Sequence, residues 1–345
     1  MPITVIVGAQ FGGEGKGKIA NHLARSGAYH AFVRCGGPNS GHTVVSQGQT
    51  VVLRQLPAAV VRSRGALYIP AGGIVDMDVL RNEMDAFGVS DERLRIDPSA
   101  LILDRADSES EAATELGSRI GSTCTGTGAG VARRVSRGAA VRLAGHIGWM
   151  ERYLTDVASE LASMHRDGAQ ILIEGTQGFG LSLYHSRHYP YATSRDTTAA
   201  AFLSETGLGP LWTDRIIMVV RTFPIRVEGQ SGPVKDEIDW GVVQRESGYP
   251  YAVSEMTSVT QKLRRIGRFD AELVARAADA NSPTELAVTG LDYLDYRSRG
   301  ATRWSDLTLP ATEFVERAAT IAGVPATFLS TGPDEEEIID LSSGD

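Results

Sequence analysis

Thr4-Val5-Ile6-Val7-Gly8-Ala9-Gln10-Phe11-Gly12-Gly13-Glu14-Gly15-Lys16-Gly17-Lys18-Ile19-Ala20 decides the reading of this chain. An apolar run without alternation reads as a strand buried on both faces. It breaks into a glycine-rich loop, and Ile19, Ala20, Leu23 and Ala24 then repeat at helical spacing. Strand, loop and helix in that order suit phosphate. Glycines let successive amide N–H groups turn inward, and the helix N-terminus adds positive potential. Gly12, Gly13, Glu14, Gly15, Lys16, Gly17 and Lys18 are therefore the first candidates for binding a triphosphate. Gly12 to Lys18 fits the G-x4-G-K part of a P-loop, but Ile19 stands where Ser or Thr would hold magnesium. The bland alternative is a glycine turn with two surface lysines.

Further along, other apolar runs end in polar or glycine-rich segments in the same way. They are Ala31–Arg34, Ile171–Ile173, Ile216–Val220, Leu286–Thr289 and Ala326–Leu329. Helical patterns separate them. Met150–Arg166 reads as one helix stopped by Gly168, Asp270 as the cap of another, and Phe314–Ala322 as a third ended by Gly323. The fold class is α/β, a largely parallel central sheet flanked by helices. In such sheets ligands bind beyond the carboxyl ends of the strands. No repeat or Gly/Ser linker divides the 345 residues, so residues 1–345 are taken as a single catalytic domain.

Composition narrows the function. Thirty-four Lys and Arg against 42 Asp and Glu give a net charge of −8, which argues against direct nucleic-acid binding. Cys35 and Cys124 are the only cysteines, too few for a disulfide framework or a thiolate zinc site, and both read as packing groups. The sequence opens directly into a strand without a charged leader, and no apolar run approaches the roughly 18–20 residues of a bilayer span. The expectation is a soluble, cytoplasmic enzyme with no membrane contact. The run Asp334-Glu335-Glu336-Glu337 reads as a solvated helix start. A second glycine-rich cluster, Gly36-Gly37-Pro38-Asn39-Ser40-Gly41-His42-Thr43, follows the Ala31–Arg34 strand. A lone His is more often structural than catalytic, but two such loops converging on one polyphosphate would reverse that.

Taken together, VIVGAQFGGEGKGK, GGPNSGHTVV, EGTQGFGLSLY, YPYATSRD, TFPIRV, AVTGLD and LSTGPD resemble adenylosuccinate synthetase, especially its short archaeal and phage-like forms. The resemblance spans essentially the whole chain. It implies an α/β homodimer that uses Mg²⁺ and a nucleoside triphosphate to join L-aspartate to the 6-position of a purine nucleotide. The family phosphorylates O6, and the aspartate amine then displaces phosphate. Positioned donors and cations steady the charge of a transferring phosphoryl group, the role implied for Lys16 and Lys18. By resemblance, His42, Lys18 and Gln177 are catalytic. The triphosphate falls to the first loop with Gly41, His42, Thr43, Arg264, Asp292, Ser330 and Gly332. The purine nucleotide falls to Gly13, Asn39, Thr125, Gln177, Thr193 and Val227, with Arg137 reaching in from a neighbouring subunit. Aspartate falls to Ser258, Val259, Thr260, Gln261, Lys262 and Arg264. Backbone carbonyls of Gly13 and Gly41 would hold Mg²⁺.

The chain departs from the family's pattern at three places. Gly13 replaces the aspartate that removes the N1 proton of IMP, a loss worth about 10²–10⁴-fold for a positioned general base. Gly290 stands where GTP-dependent members often carry lysine, and Lys262 replaces an arginine and its bidentate fork. A small residue at 13 would admit a 2-amino group. From that, the leading expectation is an ATP-dependent (or dATP-dependent) ligase making 2-amino-2′-deoxyadenylosuccinate from dGMP, in host cytoplasm if phage-encoded, with GTP not excluded. The alternatives are an adenylosuccinate synthetase acting on IMP with GTP, and an inactive nucleotide-binding regulator.

Overall fold

The computed structural model describes residues 3–258 and 261–342. Nine strands form the central sheet: β1 (Ile3–Gly8), β2 (Tyr29–Arg34), β3 (Ala66–Ile69), β4 (Leu94–Ile96), β5 (Gln170–Glu174), β6 (Thr213–Arg221), β7 (Glu285–Thr289), β8 (Ala326–Ser330) and β9 (Ile338–Asp340). Their spatial order is β9-β8-β7-β6-β1-β5-β2-β3-β4. All neighbours run parallel except β8 and β9. The α/β expectation is met, and each of the apolar runs read as a strand lies in one.

Side chains alternate across the sheet and feed two cores. Val5 and Val7 join Leu161, Phe202, Val274 and Phe314 on one face, while Ile6 joins Ile19, Leu23 and Leu80 on the other. β1 lies between β5 and β6, with β2–β4 beyond it on one side and β7–β9 on the other. Its carboxyl end is thus a topological switch point, where a ligand crevice opens. A small antiparallel sheet of Ile225–Arg226, Glu237–Ile238 and Arg265–Gly267 and a hairpin of His42–Ser46 with Gln49–Leu53 add to the fold.

Two local expectations need correction. Met150–Arg166 is not one helix: a 3₁₀ segment, Gly148–Tyr153, is followed by a separate α-helix, Val157–Arg166. Asp156 interrupts them by capping the second, its carboxylate accepting the Ser159 N–H at 2.9 Å. The acidic run does not start a solvated helix either. Glu335 is buried and accepts from Arg62 Nε at 2.9 Å, Ser46 Oγ at 2.7 Å and Asn21 Nδ2 at 2.7 Å. Burial opposes that charge, yet these donors hold its carboxyl down to about 2. Asp270 does cap Ala271–Asn281, and Gly323 ends Leu309–Ala322 with φ +70°. Cys35 is fully buried, and burial pushes its thiol up to about 12, as a packing group requires.

Gly175, just after β5, is a glycine for a packing reason. A Cβ there would lie 2.1 Å from Phe202 Cε2 and 2.7 Å from the Ile6 carbonyl oxygen. We expect Gly175→Ala to destabilise the fold by about 1–3 kcal/mol through overpacking, read as a lowered urea midpoint with an unchanged slope.

Candidate active site

The glycine loop leaves β1 and enters the helix Lys16–Arg25 through Gly12, Gly13 and Gly15, with φ of +83°, +70° and +99°. Those left-handed values suit glycine and shape the loop. Glu14 turns its carboxylate back inside, where it accepts from Gln10 N at 3.1 Å, Gly12 N at 2.8 Å and Lys16 Nζ at 2.7 Å. Lys16 also donates to the carbonyl of Gln177, in the loop after β5. A Cβ at Gly178 would fall 2.3 Å from Glu14 Oε1, so only glycine lets the two loops meet this closely.

The second glycine cluster enters from β2. His42, at the start of the hairpin, is buried and donates from Nδ1 to Glu174, the last residue of β5. Arg34 Nη1 donates to the same carboxylate at 2.7 Å, and Ala58 N donates to its other oxygen at 2.7 Å. Burial and Arg34 push the imidazole pKa down, against the pull of Glu174, so His42 rests neutral. Burial opposes the Glu174 charge as well, but His42 and Arg34 keep its carboxyl below the usual range. His42 Nε2 is buried without a hydrogen-bond partner. His42 Cβ borders the phosphate-loop helix, 2.8 Å from where a Cβ on Gly17 would stand.

A cavity of about 420 Å³ opens at this crevice. Its wall brings together Gly12, Gly13, Asn39, Gly41 and Gln177. Thr125, Thr193, Val227, Ser258 and Arg264 join them. Sequence reasoning missed Arg119, Thr127 and Arg226, which also line it. Among the described residues Glu111 is the single carboxylate in the wall, and its oxygens already accept the amides of Gly126, Gly128 and Ala129. Set against Arg119, Arg226 and Arg264, this makes the cavity cationic and suited to anionic ligands. Glu174 and Arg34 were missed too; the one available clue was the charge of Glu174 at the end of an apolar strand.

Other expected residues stand elsewhere. Lys18 does not face the loop: its Nζ donates to Ser330 Oγ at 2.8 Å, Gly332 O at 2.7 Å and Glu337 O at 2.7 Å. Burial lowers its pKa to about 8. Asp292, after β7, accepts from the Tyr249 hydroxyl, which in turn accepts from Arg299 Nη1 at 2.8 Å. Burial pushes the Asp292 carboxyl up to about 6. Thr43, Gln261 and Lys262 are exposed outside the cavity wall, and Arg137 is exposed at the end of Thr127–Ser136. Val259 and Thr260 lie outside the described residues.

Magnesium takes hard oxygen ligands and keeps much of its water. Among the described residues no group of three or more His, Cys, Asp and Glu could hold a metal ion. The Gly13 carbonyl does not fit the expected metal role, because it accepts from Arg221 Nη1 at 2.9 Å and so already faces a cation. Gly41, beside the Ser40 and Ser258 side chains in the cavity wall, offers oxygen of the right kind.

Paired glycine loops at a switch point, a buried His–carboxylate pair and a cationic cavity define an enzyme acting on phosphorylated small molecules. The comparisons make the class specific. The profile described as adenylosuccinate synthetase matches residues 5–149 and 141–299. Adenylosuccinate synthetases of Archaeoglobus fulgidus and Thermococcus onnurineus are 40% and 39% identical to the chain, over 99% of it and 98% of each relative. That of Methanocaldococcus jannaschii is 38% identical over 98% of the chain and 96% of its own length. The fully ligated adenylosuccinate synthetase of Plasmodium falciparum superposes with a TM-score of 0.89 at 20% identity, covering 99% of this chain and all of that one. Succinoaminodeoxyadenylate synthetase of cyanophage S-2L, bound to dGMP and dATP, gives 0.83 at 24% identity, covering 98% and 95%.

The chain belongs to the adenylosuccinate synthetase family. It is a C–N bond-forming ligase that joins aspartate to a purine nucleotide, with a nucleoside triphosphate and Mg²⁺ as the family's co-substrate and metal. The expected dGMP and ATP activity is corrected by these comparisons. Full-length relatives at 38–40% identity are adenylosuccinate synthetases, and the phage enzyme's likeness, at 24%, is one of fold alone. The structure supplies a reason. A Cβ at Gly13 would meet Ile225 Cδ1 at 2.8 Å and Arg264 Nη1 at 3.0 Å. Those side chains fill the room that a missing aspartate would leave, and φ of +70° independently favours glycine.

Glu174 supports the whole arrangement. We expect Glu174→Ala to cost about 3–5 kcal/mol, because Arg34 becomes a buried charge without a counter-ion. Guanidinium unfolding followed by circular dichroism measures it, and a loss below 1 kcal/mol would contradict the arrangement.

Proposed function

We propose that the chain is an adenylosuccinate synthetase acting on IMP, joining L-aspartate to C6 with GTP as phosphoryl donor. The observation that carries this reading is the cationic cavity whose one carboxylate is already engaged, beside two glycine loops. The names of the archaeal relatives support it.

O6 of a purine is a poor leaving group. Attack of O6 on the γ-phosphorus breaks the bond to the β-phosphate oxygen and releases GDP, while the N1 proton passes to water, since Gly13 supplies no carboxylate to take it. The aspartate amine then adds at C6, and inorganic phosphate departs with the O6 oxygen while the amine loses a proton. The Lys16 ammonium and the loop amides steady the transferring group. Gln177 holds the purine edge, and Thr125, Thr193 and Asn39 hold the rest of the nucleotide. His42 Nε2 contacts O6 and the phosphoryl oxygens. Glu174, bonded to Nδ1, fixes the ring's orientation. Arg264 and Ser258 receive aspartate carboxylates. The Gly41 carbonyl would hold magnesium, whose charge would offset that of the triphosphate. Asp292 is the acceptor for a guanine edge once it exchanges the Tyr249 hydroxyl. Arg137 lies outside this chain's own cavity, which suits a contribution to a partner copy's site.

Purified protein with IMP, L-aspartate, Mg²⁺ and GTP is expected to yield adenylosuccinate and GDP, followed by chromatography and mass. Replacing GTP with ATP is expected to lower turnover. Consumption of dGMP with no turnover of IMP would overturn the proposal. His42→Asn is expected to lower kcat about 10²–10⁴-fold with little change in the KM for IMP.

A further inference from the structure

Phosphorylation of O6 leaves the purine ring cationic unless N1 loses its proton, and the cavity wall offers no base to take it. Among the described residues the wall holds no imidazole, and its one carboxylate, Glu111, is engaged by three amides. His42 stands outside the wall, and burial pushes its pKa down, which makes it a weak base. What faces Gly13 is a cation.

Arg264 is fixed at three points. Its backbone N–H donates to the Glu255 carbonyl at 2.8 Å, and its carbonyl accepts from Trp240 Nε1 at 2.8 Å. Nε donates to the Met256 carbonyl at 3.2 Å, while Nη1 and Nη2 make no hydrogen bond to any described residue. Nη1 lies 3.0 Å from where a Cβ on Gly13 would stand, and Gln177 Oε1 lies 3.9 Å from the same point on Gly12. The two side chains thus flank consecutive residues of the loop, and both line the cavity. The charged groups acting on Arg264 are Glu255, Arg221 and Glu14. Glu255 is paired with Arg221 at 2.6 Å, and Glu14 with Lys16 at 2.7 Å. That leaves the Arg264 guanidinium as the uncompensated charge beside Gly13.

O6 has to face the glycine loop for the transfer, and N1 is next to C6 on the ring. A guanidinium N–H set beside N1 opposes N1–H, donor against donor, and gains a hydrogen bond once that proton has gone. Such a contact favours the ionised purine over the neutral one, which is the condition for lowering a barrier.

We propose that Arg264 is a catalytic residue of the first step, in which Nη1 meets N1 of the bound 6-oxopurine and stabilises its anion. This rests on the nucleotide reading above. The N1–H bond breaks, the proton passes to water, and the electron pair spreads over N1, C6 and O6, which strengthens O6 as the nucleophile. The aspartate whose amine adds at C6 comes to the same edge, and Nη2 remains for its carboxylate.

The test titrates IMP bound to the full chain, with protein in excess and with neither aspartate nor triphosphate. Ionisation at N1 is followed by the ultraviolet spectrum of the purine. Bound to the parent protein, IMP should ionise about 1–3 pH units below free IMP. Arg264→Gln should return the midpoint to that of free IMP, and Arg264→Lys, which keeps the charge, should retain most of the shift. A midpoint in the parent equal to or above that of free IMP would overturn the proposal with no variant needed, and the nucleotide reading would stand. A lowered midpoint that persists in Arg264→Gln would overturn it as well, because another group would then be the source. Equal loss in the Lys and Gln variants would remove the charge argument and the assignment with it. Failure of the parent protein to bind IMP would remove the nucleotide reading itself.

Discussion

The carboxylate of Glu174 is the contact on which the geometry of the site depends. It ends β5, opposite Arg34 in the register of β2. Because neighbouring parallel strands end together here, one buried charge reaches Arg34, the hairpin through His42, and the turn at Ala58 at once. Arg34 then donates to the Ser40 carbonyl at 2.9 Å, so the second glycine cluster is held to the sheet through the same ion pair. A buried pair gains only when its remaining donors and acceptors are met. At Glu174 both oxygens are met, and of the Arg34 nitrogens only Nε is left without a partner. The imidazole therefore has a fixed ring plane and one unengaged nitrogen, which is the state a site needs before its substrate arrives.

Gly13 shows how a substitution changes meaning once its neighbours are known. In the sequence alone, aspartate replaced by glycine is a lost carboxylate and gained space. In the fold, that space belongs to Ile225 and Arg264, and the left-handed backbone supplies its own reason for glycine. The chain's small sheet packs against the loop, so residues 225 and 264, remote in sequence, set what position 13 does to the pocket.

Much of the architecture was legible because it depends on local pattern. Unalternating apolar runs gave the parallel strands, and caps such as Asp270 and Gly323 marked helix ends. The glycine loops showed where the crevice would open. What escaped depends on pairing. Glu335 looked solvated because a sequence does not display Arg62 and Asn21 closing over it. The three oxygen acceptors of Lys18 were equally invisible, because they come from a segment more than 300 residues away. Arg226 lay within the quoted TFPIRV segment but carried no signal, since a buried guanidinium with Nε and Nη2 unpaired is a property of three dimensions alone. Met150–Arg166 kept a helical period across a break that Asp156 creates by capping.

Lys16 and Lys18 each hold several partners within the chain. Lys16 bridges Glu14 and the Gln177 carbonyl, so a phosphate that claims its ammonium must compete with the contact joining the β1 and β5 loops. Lys18 is tied to Ser330, Gly332 and Glu337, and the same segment approaches Arg299, whose Nε lies 3.6 Å from Glu337. Arg299 in turn steadies Tyr249 on Asp292. One run of contacts therefore joins the last lysine of the glycine loop to the carboxylate that follows β7, two segments remote in sequence.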